Sequence, residues 1–275
     1  MEHSTALFGI TLALYGISGA LFLWELVKGV RLVGLAASGV AVIGLLVQSA
    51  GIVLRSLEQH HAPLTNLFES LVFLAWALMA VYLVTERGHR ISALGAFACL
   101  TASIALASGL LLPKEISSTL IPALGSRWST VHIASSLISY AGFVLAFGAA
   151  LAYILQEKML KAKRINALQK HLPPLDVLDR FAYRMVTFAF PMLTLGIVTG
   201  ALWAQSAWGS YWKWDPKETW SLITWLVYAA YLHVRVMQGW RGKWANRLLL
   251  AGFACIIITY LGVNLLSAGL HRYNW

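Results

Sequence analysis

The sequence predicts an all-α membrane protein, a polytopic bundle of about eight transmembrane helices with both termini on the outer face. Of its 275 residues, 59% are hydrophobic and only 12% are charged. Apolar runs of about 20 residues recur along the chain, and each can cross a hydrocarbon core of about 30 Å as a helix. Lys and Arg residues are concentrated in alternate connections between these runs, which is typical of multi-pass membrane proteins.

Eight apolar segments define the predicted spans, and we expect them to form one transmembrane domain over residues 1–275. No internal repeat is apparent in the chain. The spans are Thr5–Val27, Leu32–Leu54, Leu67–Thr85, Ile91–Leu112, Val131–Gln156, Met185–Gln205, Pro216–Met237 and Leu248–Ala268.

The distribution of Lys and Arg predicts the orientation. One set of connections holds fifteen of these residues and the other set holds six. The positive-inside rule places the first set in the cytoplasm. The net charge of +10 follows from this bias, so we predict a lipid bilayer as the environment and no nucleic-acid partner. The long cytoplasmic connection, about 157–184, is predicted to be a surface helix followed by a turn at Pro173–Pro174.

The two cysteines, Cys99 and Cys255, lie in apolar runs without a C-x-x-C pattern. This excludes attachment of a c-type haem through C-x-x-C-H and the common zinc-finger patterns. Both are predicted to be small core residues.

An outer loop over about 206–220 carries four tryptophans within thirteen residues, beside two lysines and two acids. An interfacial aromatic belt explains one or two Trp at a helix end. Four of them beside charges suit a flat, apolar ligand with charged edges. The candidate binding residues are Trp208, Gly209, Trp212, Trp214, Asp215 and Trp220.

The same loop carries a helix start signal. Asp215 is suited to the N-cap, Pro216 to the first helical position and Glu218 to the acidic position of a capping box. Asn66 and Glu69 predict a similar start for the third span.

Three histidines are candidate ligands. His132 and His271 are predicted on the same side as the Trp-rich loop, where two neutral imidazoles could bind the two faces of a haem iron. The alternative is that both are ordinary interfacial histidines. His233 lies about 25 Å along the seventh span from Pro216, and an ionisable side chain at that depth is a functional candidate. The alternative for His233 is a neutral imidazole hydrogen-bonded to another helix.

The segment Trp208–Trp220 resembles the tryptophan-rich signature of haem-handling membrane proteins of cytochrome c biogenesis, and is most similar to the CcsA (ResC-like) family of system II. Pro63–Ser70 and the Ser139-Tyr140-Ala141 stretch extend the resemblance over nearly the whole chain. It implies that His132 and His271 are axial ligands of an external haem b lying against the Trp-rich loop. It also implies that His233 binds a transmembrane haem.

The resemblance further implies a function and partners. A CcsB-like (ResB-like) membrane protein would supply the other ligand of the transmembrane haem. Together the two chains would bring haem to the outer face and attach it covalently to apocytochrome c, an activity expected only of the complex. The family is found in the bacterial cytoplasmic membrane, or in the thylakoid membrane of plastids.

Three other functions are weighed against this one. They are a pure haem exporter, a system I CcmC-like protein with a similar loop but fewer spans, and a b-type electron-transfer cytochrome. Such a cytochrome usually places two ligating histidines on one helix, and no predicted span has two. Haem propionates require cationic or polar partners. Five cations are predicted on the outer side, and the sequence does not choose among them: Arg55, Arg127, Lys213, Lys217 and Arg272.

Overall fold

The computed structural model describes residues 2–86, 91–113, 126–163 and 171–263. Within these ranges the regular structure is entirely helical, so the predicted all-α class is confirmed. A π-helical turn, Ile258–Gly262, follows the last α-helix. The eight α-helices are α1 (Glu2–Lys28), α2 (Arg31–Gln59), α3 (Leu67–Glu86), α4 (Ser92–Leu110), α5 (Arg127–Lys161), α6 (Leu175–Trp208), α7 (Pro216–Met237) and α8 (Lys243–Ile257).

The helices alternate in direction, as contacts between them show. Gly109 near the end of α4 meets Leu71 near the start of α3, and Gly200 near the end of α6 meets His132 near the start of α5. In the first pair, the Tyr15 hydroxyl of α1 donates to Gln48 Oε1 of α2 at 2.7 Å, and the Ser18 hydroxyl donates to the Ala37 carbonyl at 2.8 Å. The starts of α3, α5 and α7 therefore share one end of the bundle with the ends of α2, α4 and α6. We call this the Trp-loop end, because α6 ends and α7 begins there.

Seven of the eight helices described are long and apolar enough to cross a membrane, α8 when it is taken together with the π-helical turn, over Lys243–Gly262. The exception is α7, which has 22 residues and is about 33 Å long. Its length suffices, but its polar and charged side chains, including Lys217, Glu218 and Arg235, lower its apolar character. Each of the eight predicted spans corresponds to a helix of the described residues, and seven of the eight qualify as membrane spans by length and apolar character.

The close packing of α5 against α6 rests on small residues. A Cβ added to Gly142 of α5 would lie 2.9 Å from the Cβ of Ala189 on α6, so the two backbones approach closely at this level. Membrane helices associate through such small residues, because lipid provides no hydrophobic drive between apolar helices. This pair of helices carries much of the candidate site described below.

Two connections are shorter than the sequence predicted. Helix α5 continues to Lys161 and α6 begins at Leu175, directly after Pro174, so most of the predicted surface segment 157–184 belongs to long helices. Residues 164–170 lie outside the described ranges. The Trp-rich loop predicted over about 206–220 is irregular only over 209–215. Apolar runs underestimate helices whose end turns carry charges, because those turns leave the hydrocarbon core.

The cysteine prediction is correct for one residue of the two. Cys99 is fully buried in the core, whereas Cys255 is only partly buried on α8. A nearly uniform apolar run does not reveal which face of its helix is packed.

A buried ion pair closes the corner between α2 and α3. Arg55 Nε lies 2.8 Å from Glu69 Oε1, and both side chains are about 1% exposed. Gln59 donates to the same oxygen, and the Thr65 backbone N–H and hydroxyl donate to Glu69 Oε2 at 2.9 Å. Asn66 Oδ1 accepts from the Glu69 N–H at 2.8 Å, which confirms the predicted cap of α3.

A second ion pair joins α6 and α7 at the opposite end of the bundle. The Arg235 guanidinium donates to both carboxylate oxygens of Asp179, with Nη1 2.8 Å from Oδ1. The guanidinium also lies over the Tyr183 ring, 5.3 Å from its centroid. Bidentate geometry of this kind fixes both position and angle.

We expect Glu69→Gln to lower the free energy of unfolding by an amount on the order of 3–5 kcal/mol, because it leaves the Arg55 charge buried without its counter-ion. The midpoint of thermal unfolding in detergent measures this. The control is Glu157→Gln, which breaks the Glu157–Lys161 pair at a solvent-facing helix end, where Lys161 is 71% exposed. A pair of that kind contributes about 0–1 kcal/mol. Equal midpoints for the two variants would contradict the prediction.

Candidate functional site

A cleft of about 760 Å³, counting its open mouth, lies at the Trp-loop end of the bundle. Helices α5, α6 and α7, the Trp-rich loop and the π-helical turn all contribute to it. The lining residues are His132, Ile133, Ser136, Leu137, Tyr140, Leu193, Ile197, Gly200, Ala201, Tyr211, Trp212, Lys217, Glu218, Ser221, Thr259 and Tyr260.

The imidazole of His132 is held by a helix backbone. Its Nδ1 lies 2.7 Å from the carbonyl oxygen of Gly196 on α6. A carbonyl oxygen can only accept, so Nδ1 carries the proton and Nε2 carries the basic lone pair. Metal-binding histidines typically have this arrangement, in which the second ring nitrogen donates to a carbonyl and fixes the tautomer.

An aromatic stack supports the His132 ring. The ring lies 6.1 Å from that of Trp203, centroid to centroid, at an interplanar angle of 17°. Trp203 in turn meets Trp208 edge to face at 4.9 Å. Trp203 was missed by the sequence analysis because it lies within an apolar span. Only an aromatic count extended back from the loop into that span would have included it.

Gly200 provides the space that His132 occupies. A Cβ on Gly200 would lie 2.6 Å from Nδ1 of His132 and 2.8 Å from its Cε1. Any larger residue would therefore displace the imidazole. No pattern in the sequence indicates this role, because glycines are common in membrane helices for packing reasons alone.

Of the four indoles in the Trp-rich loop, the structure places that of Trp212 in the cleft lining. Trp208 is the last residue of α6 and reaches His132 through Trp203. Trp214 is 68% exposed, and its ring meets that of Trp212 edge to face at 5.8 Å. Trp220 lies in α7, outside the lining set.

Gly209 and Asp215 shape the loop. Gly209 ends α6 in the left-handed conformation, with φ of +70°, and its N–H donates to the Gln205 carbonyl at 3.0 Å. Such a C-cap favours glycine, which has no Cβ to clash. Asp215 Oδ2 accepts from the Lys217 N–H at 3.1 Å. These two residues therefore set where the loop begins and ends.

Glu218 completes the predicted capping box. Its Oε2 accepts from the backbone N–H of Asp215 at 3.1 Å and from that of Lys213 at 2.8 Å. The predicted roles of Asp215, Pro216 and Glu218 at the start of α7 are confirmed. The same carboxylate thus holds both the first turn of α7 and the loop that precedes it.

The π-helical turn brings Thr259 and Tyr260 into the cleft. The Tyr260 hydroxyl lies 2.8 Å from the Ser70 hydroxyl on α3, and its ring meets that of Tyr140 at 6.2 Å. Single π-turns occur frequently at functional sites, since they re-aim side chains relative to an α-helix. No feature of the sequence marks this turn.

The structure shows which of the candidate cations lie in the cleft lining. Lys217 lines the cleft. Lys213 and Arg127 are exposed and do not belong to the lining. Arg55 is committed to the buried pair with Glu69, so it was wrongly included as a candidate. Arg272 lies outside the described residues.

His233 is exposed on the surface of α7. Within the described residues, His233 makes no hydrogen bond to another helix. Its side chain is exposed rather than buried. His271 lies outside the described residues, so its convergence with His132 stays a prediction. The structure thus places His132 and Trp212 in the lining of one cleft, and His233 at an exposed position of α7 outside that lining.

The fold and the cleft define a multi-pass helical membrane protein with a histidine and aromatic residues around an open cleft at one end of the bundle. Residues 64–271 match the family described as cytochrome C assembly protein, and the chain belongs to this family. Proteins described as cytochrome c biogenesis protein CcsA are similar over most of their length. That of Synechocystis sp. is 36% identical over 87% of this chain and 88% of its own.

Further comparisons agree. The CcsA protein of Microcystis aeruginosa is 38% identical over 88% of each chain, and that of Synechococcus elongatus is 38% identical over 92% of each. Among solved structures, the cytochrome c haem lyase CcmF superposes with a TM-score of 0.69 at 18% identity. That match covers 94% of this chain and 46% of CcmF, so this chain spans about half of that protein and shares its fold.

We expect Asp215→Ala to cost about 1 kcal/mol of local helix stability, because the Lys217 N–H loses its acceptor. Amide hydrogens in the first turn of α7 should then exchange about fivefold faster in hydrogen–deuterium exchange.

The control for this variant is Asp176→Ala. Asp176 also lies in the first turn of a helix, but it pairs with Arg180 on the surface and α6 has no side-chain cap. Exchange at the start of α7 that matches the wild-type rate in Asp215→Ala would show that the cap does not hold this turn.

Proposed function

We propose that this chain binds haem b in the cleft and presents it for covalent attachment to apocytochrome c, as the CcsA-type subunit of a system II cytochrome c synthase. The observation that carries the proposal is the contact of His132 Nδ1 with the Gly196 carbonyl. It orients Nε2 as the basic nitrogen of a histidine on the cleft wall, which is what an axial ligand of haem iron requires.

The rest of the cleft supports a flat, largely apolar ligand. Aliphatic side chains from α5 and α6 form one part of its lining, and Trp212 and Tyr260 provide aromatic surface. The Trp203 and Trp208 rings back the histidine from outside the cleft. The names of the CcsA relatives, which assign them to cytochrome c biogenesis, support the same function.

The proposal also includes a second haem ligand and an orientation in the membrane. His271 is proposed as the second axial ligand, on the opposite face of the haem from His132. The Trp-loop end is proposed to face outward, away from the cytoplasm, as the bias in Lys and Arg indicates. Apocytochrome c would then meet the haem on the outer side of a bacterial cytoplasmic membrane or a thylakoid membrane.

The attachment chemistry belongs to the haem and the apocytochrome. Each thiol of the C-x-x-C-H segment adds across one vinyl group, with sulfur bonded to one carbon and hydrogen to the other, to give a thioether. The chain contributes orientation and exclusion of water, which convert an encounter in solution into reaction between held groups. We propose that this activity needs a CcsB-like (ResB-like) partner.

The exposed position of His233 supports a second haem level shared with that partner. An ionisable side chain facing outward at membrane depth is costly unless something pairs with it. A haem whose other axial ligand comes from the partner chain would satisfy the imidazole. Haem would then pass from the level of His233 to the cleft of His132.

Haem titration of the purified chain tests the cleft. His132→Ala should abolish the sharp α and β bands of reduced low-spin haem at this site. Gly200→Ala should weaken haem binding about 10- to 100-fold, because it displaces an otherwise unchanged ligand. The control is Gly39→Ala on α2, where an added Cβ has nothing within 4 Å. Wild-type spectra and affinity in both cleft variants would contradict the proposed ligand.

The complex with the partner tests His233. His233→Ala should lower the haem content of the complex and the yield of covalent cytochrome, whereas His132→Ala should retain haem at the inner level and block attachment. The control is Val236→Ala, at a nearby position on α7 whose side chain is 63% exposed. If His233→Ala keeps wild-type loading and yield, His233 is not on the haem path. Haem loading without covalent product in the reconstituted wild-type complex would favour a pure exporter.

A further inference from the structure

We infer that Lys217 and the indole N–H of Trp212 recognise the carboxylate groups of the ligand in the cleft. This inference rests on the proposed function and assigns the haem propionates to one corner of the site. It selects Lys217 from the five cations among which the sequence analysis did not choose.

Lys217 is the cation that the cleft itself presents within the described part of the chain. It lies in the first turn of α7 and is one of the lining residues. An ammonium group in the cleft lining can interact with an anionic group of a ligand bound there. The start of α7 adds partial positive charge at the same corner.

The Trp212 side chain supplies a neutral donor beside this cation. Its Nε1 is buried and has no hydrogen-bond acceptor among the described residues. Buried indole N–H groups usually find a partner, because leaving one unpaired costs free energy. A carboxylate oxygen in the cleft would accept from this donor, and its charge would strengthen the bond.

Glu218 also lines the cleft, and its negative charge is already engaged. Its Oε2 accepts from the backbone N–H groups of Lys213 and Asp215. The carboxylate is therefore tied into the loop by two hydrogen bonds that favour its charged form. Because Glu218 is directed toward the loop backbone and Asp215 toward the Lys217 N–H, Lys217 is the cationic side chain of the lining at this corner.

The lining has an asymmetry that matches haem. The polar corner is built from the loop and the start of α7, while Ile133, Leu137, Leu193 and Ile197 on α5 and α6 are aliphatic. Haem likewise carries both carboxylates on one edge and an apolar ring elsewhere. A haem seated with its carboxylates at Lys217 places its apolar edge against α5 and α6, so this corner would set its orientation.

The test compares the affinity of the full chain in detergent for haem and for haem dimethyl ester, in which both carboxylates are blocked. We expect the wild type to bind haem about tenfold more tightly than the ester, as befits a charge-assisted bond. Lys217→Gln should bring this ratio close to one, and Lys217→Arg should keep it. Trp212→Phe, which keeps an aromatic ring and removes the N–H, should reduce it by a smaller factor.

The matched control is Lys213→Gln, an exposed lysine of the same loop outside the cleft lining, which should leave the ratio unchanged. Because both ligands meet the same protein, the ratio is insensitive to partial misfolding of a variant. A wild-type ratio preserved in Lys217→Gln would overturn the inference. So would equal binding of acid and ester by the wild type, which leaves the proposed function standing; failure to bind either would refute the proposed function itself.

Discussion

The close approach of α5 and α6 is the constraint on which the candidate site depends. Without side chains at Gly196 and Gly200, the α6 backbone comes near enough for its carbonyl to accept from His132. That same carbonyl also lies 3.2 Å from the Thr199 hydroxyl, which can donate to it. The orientation of the imidazole is thus set by main-chain geometry, which varies less than a side-chain partner would.

On the other side of the cleft, electrostatic interactions at the start of α7 hold the Trp-rich loop in place. Asp215 and Glu218 satisfy backbone donors that the first turn of a helix leaves unpaired. The loop is thereby fixed with one indole, that of Trp212, in the cleft, and another, that of Trp214, outside it. A loop that carries four tryptophans needs such anchoring, because large apolar rings could otherwise pack in several ways.

The sequence predicted well whatever depends on local chemistry. Apolar runs predicted the helices, and the Asp-Pro-Lys-Glu order predicted the capping box, because both follow from neighbours along the chain. Which side of each helix packs against the bundle was harder to predict. In nearly uniform apolar helices no periodicity distinguishes packed from lipid-facing positions, so the exposure of His233 was missed. The pairing of Arg55 with Glu69 and the contact of Gly200 with His132 each join two helices, and single-sequence patterns carry no such information.

Helix α7 is fastened near both ends. A capping box and the loop hold its start, and the bidentate pair of Arg235 with Asp179 holds it to α6 near its end. Because both of its ends are held, α7 is not free to pivot about one end. Lys217 and His233 lie about 24 Å apart along the axis of α7. A flat ligand that visits both must be handed over, since no tilt of this helix can bring the two levels together.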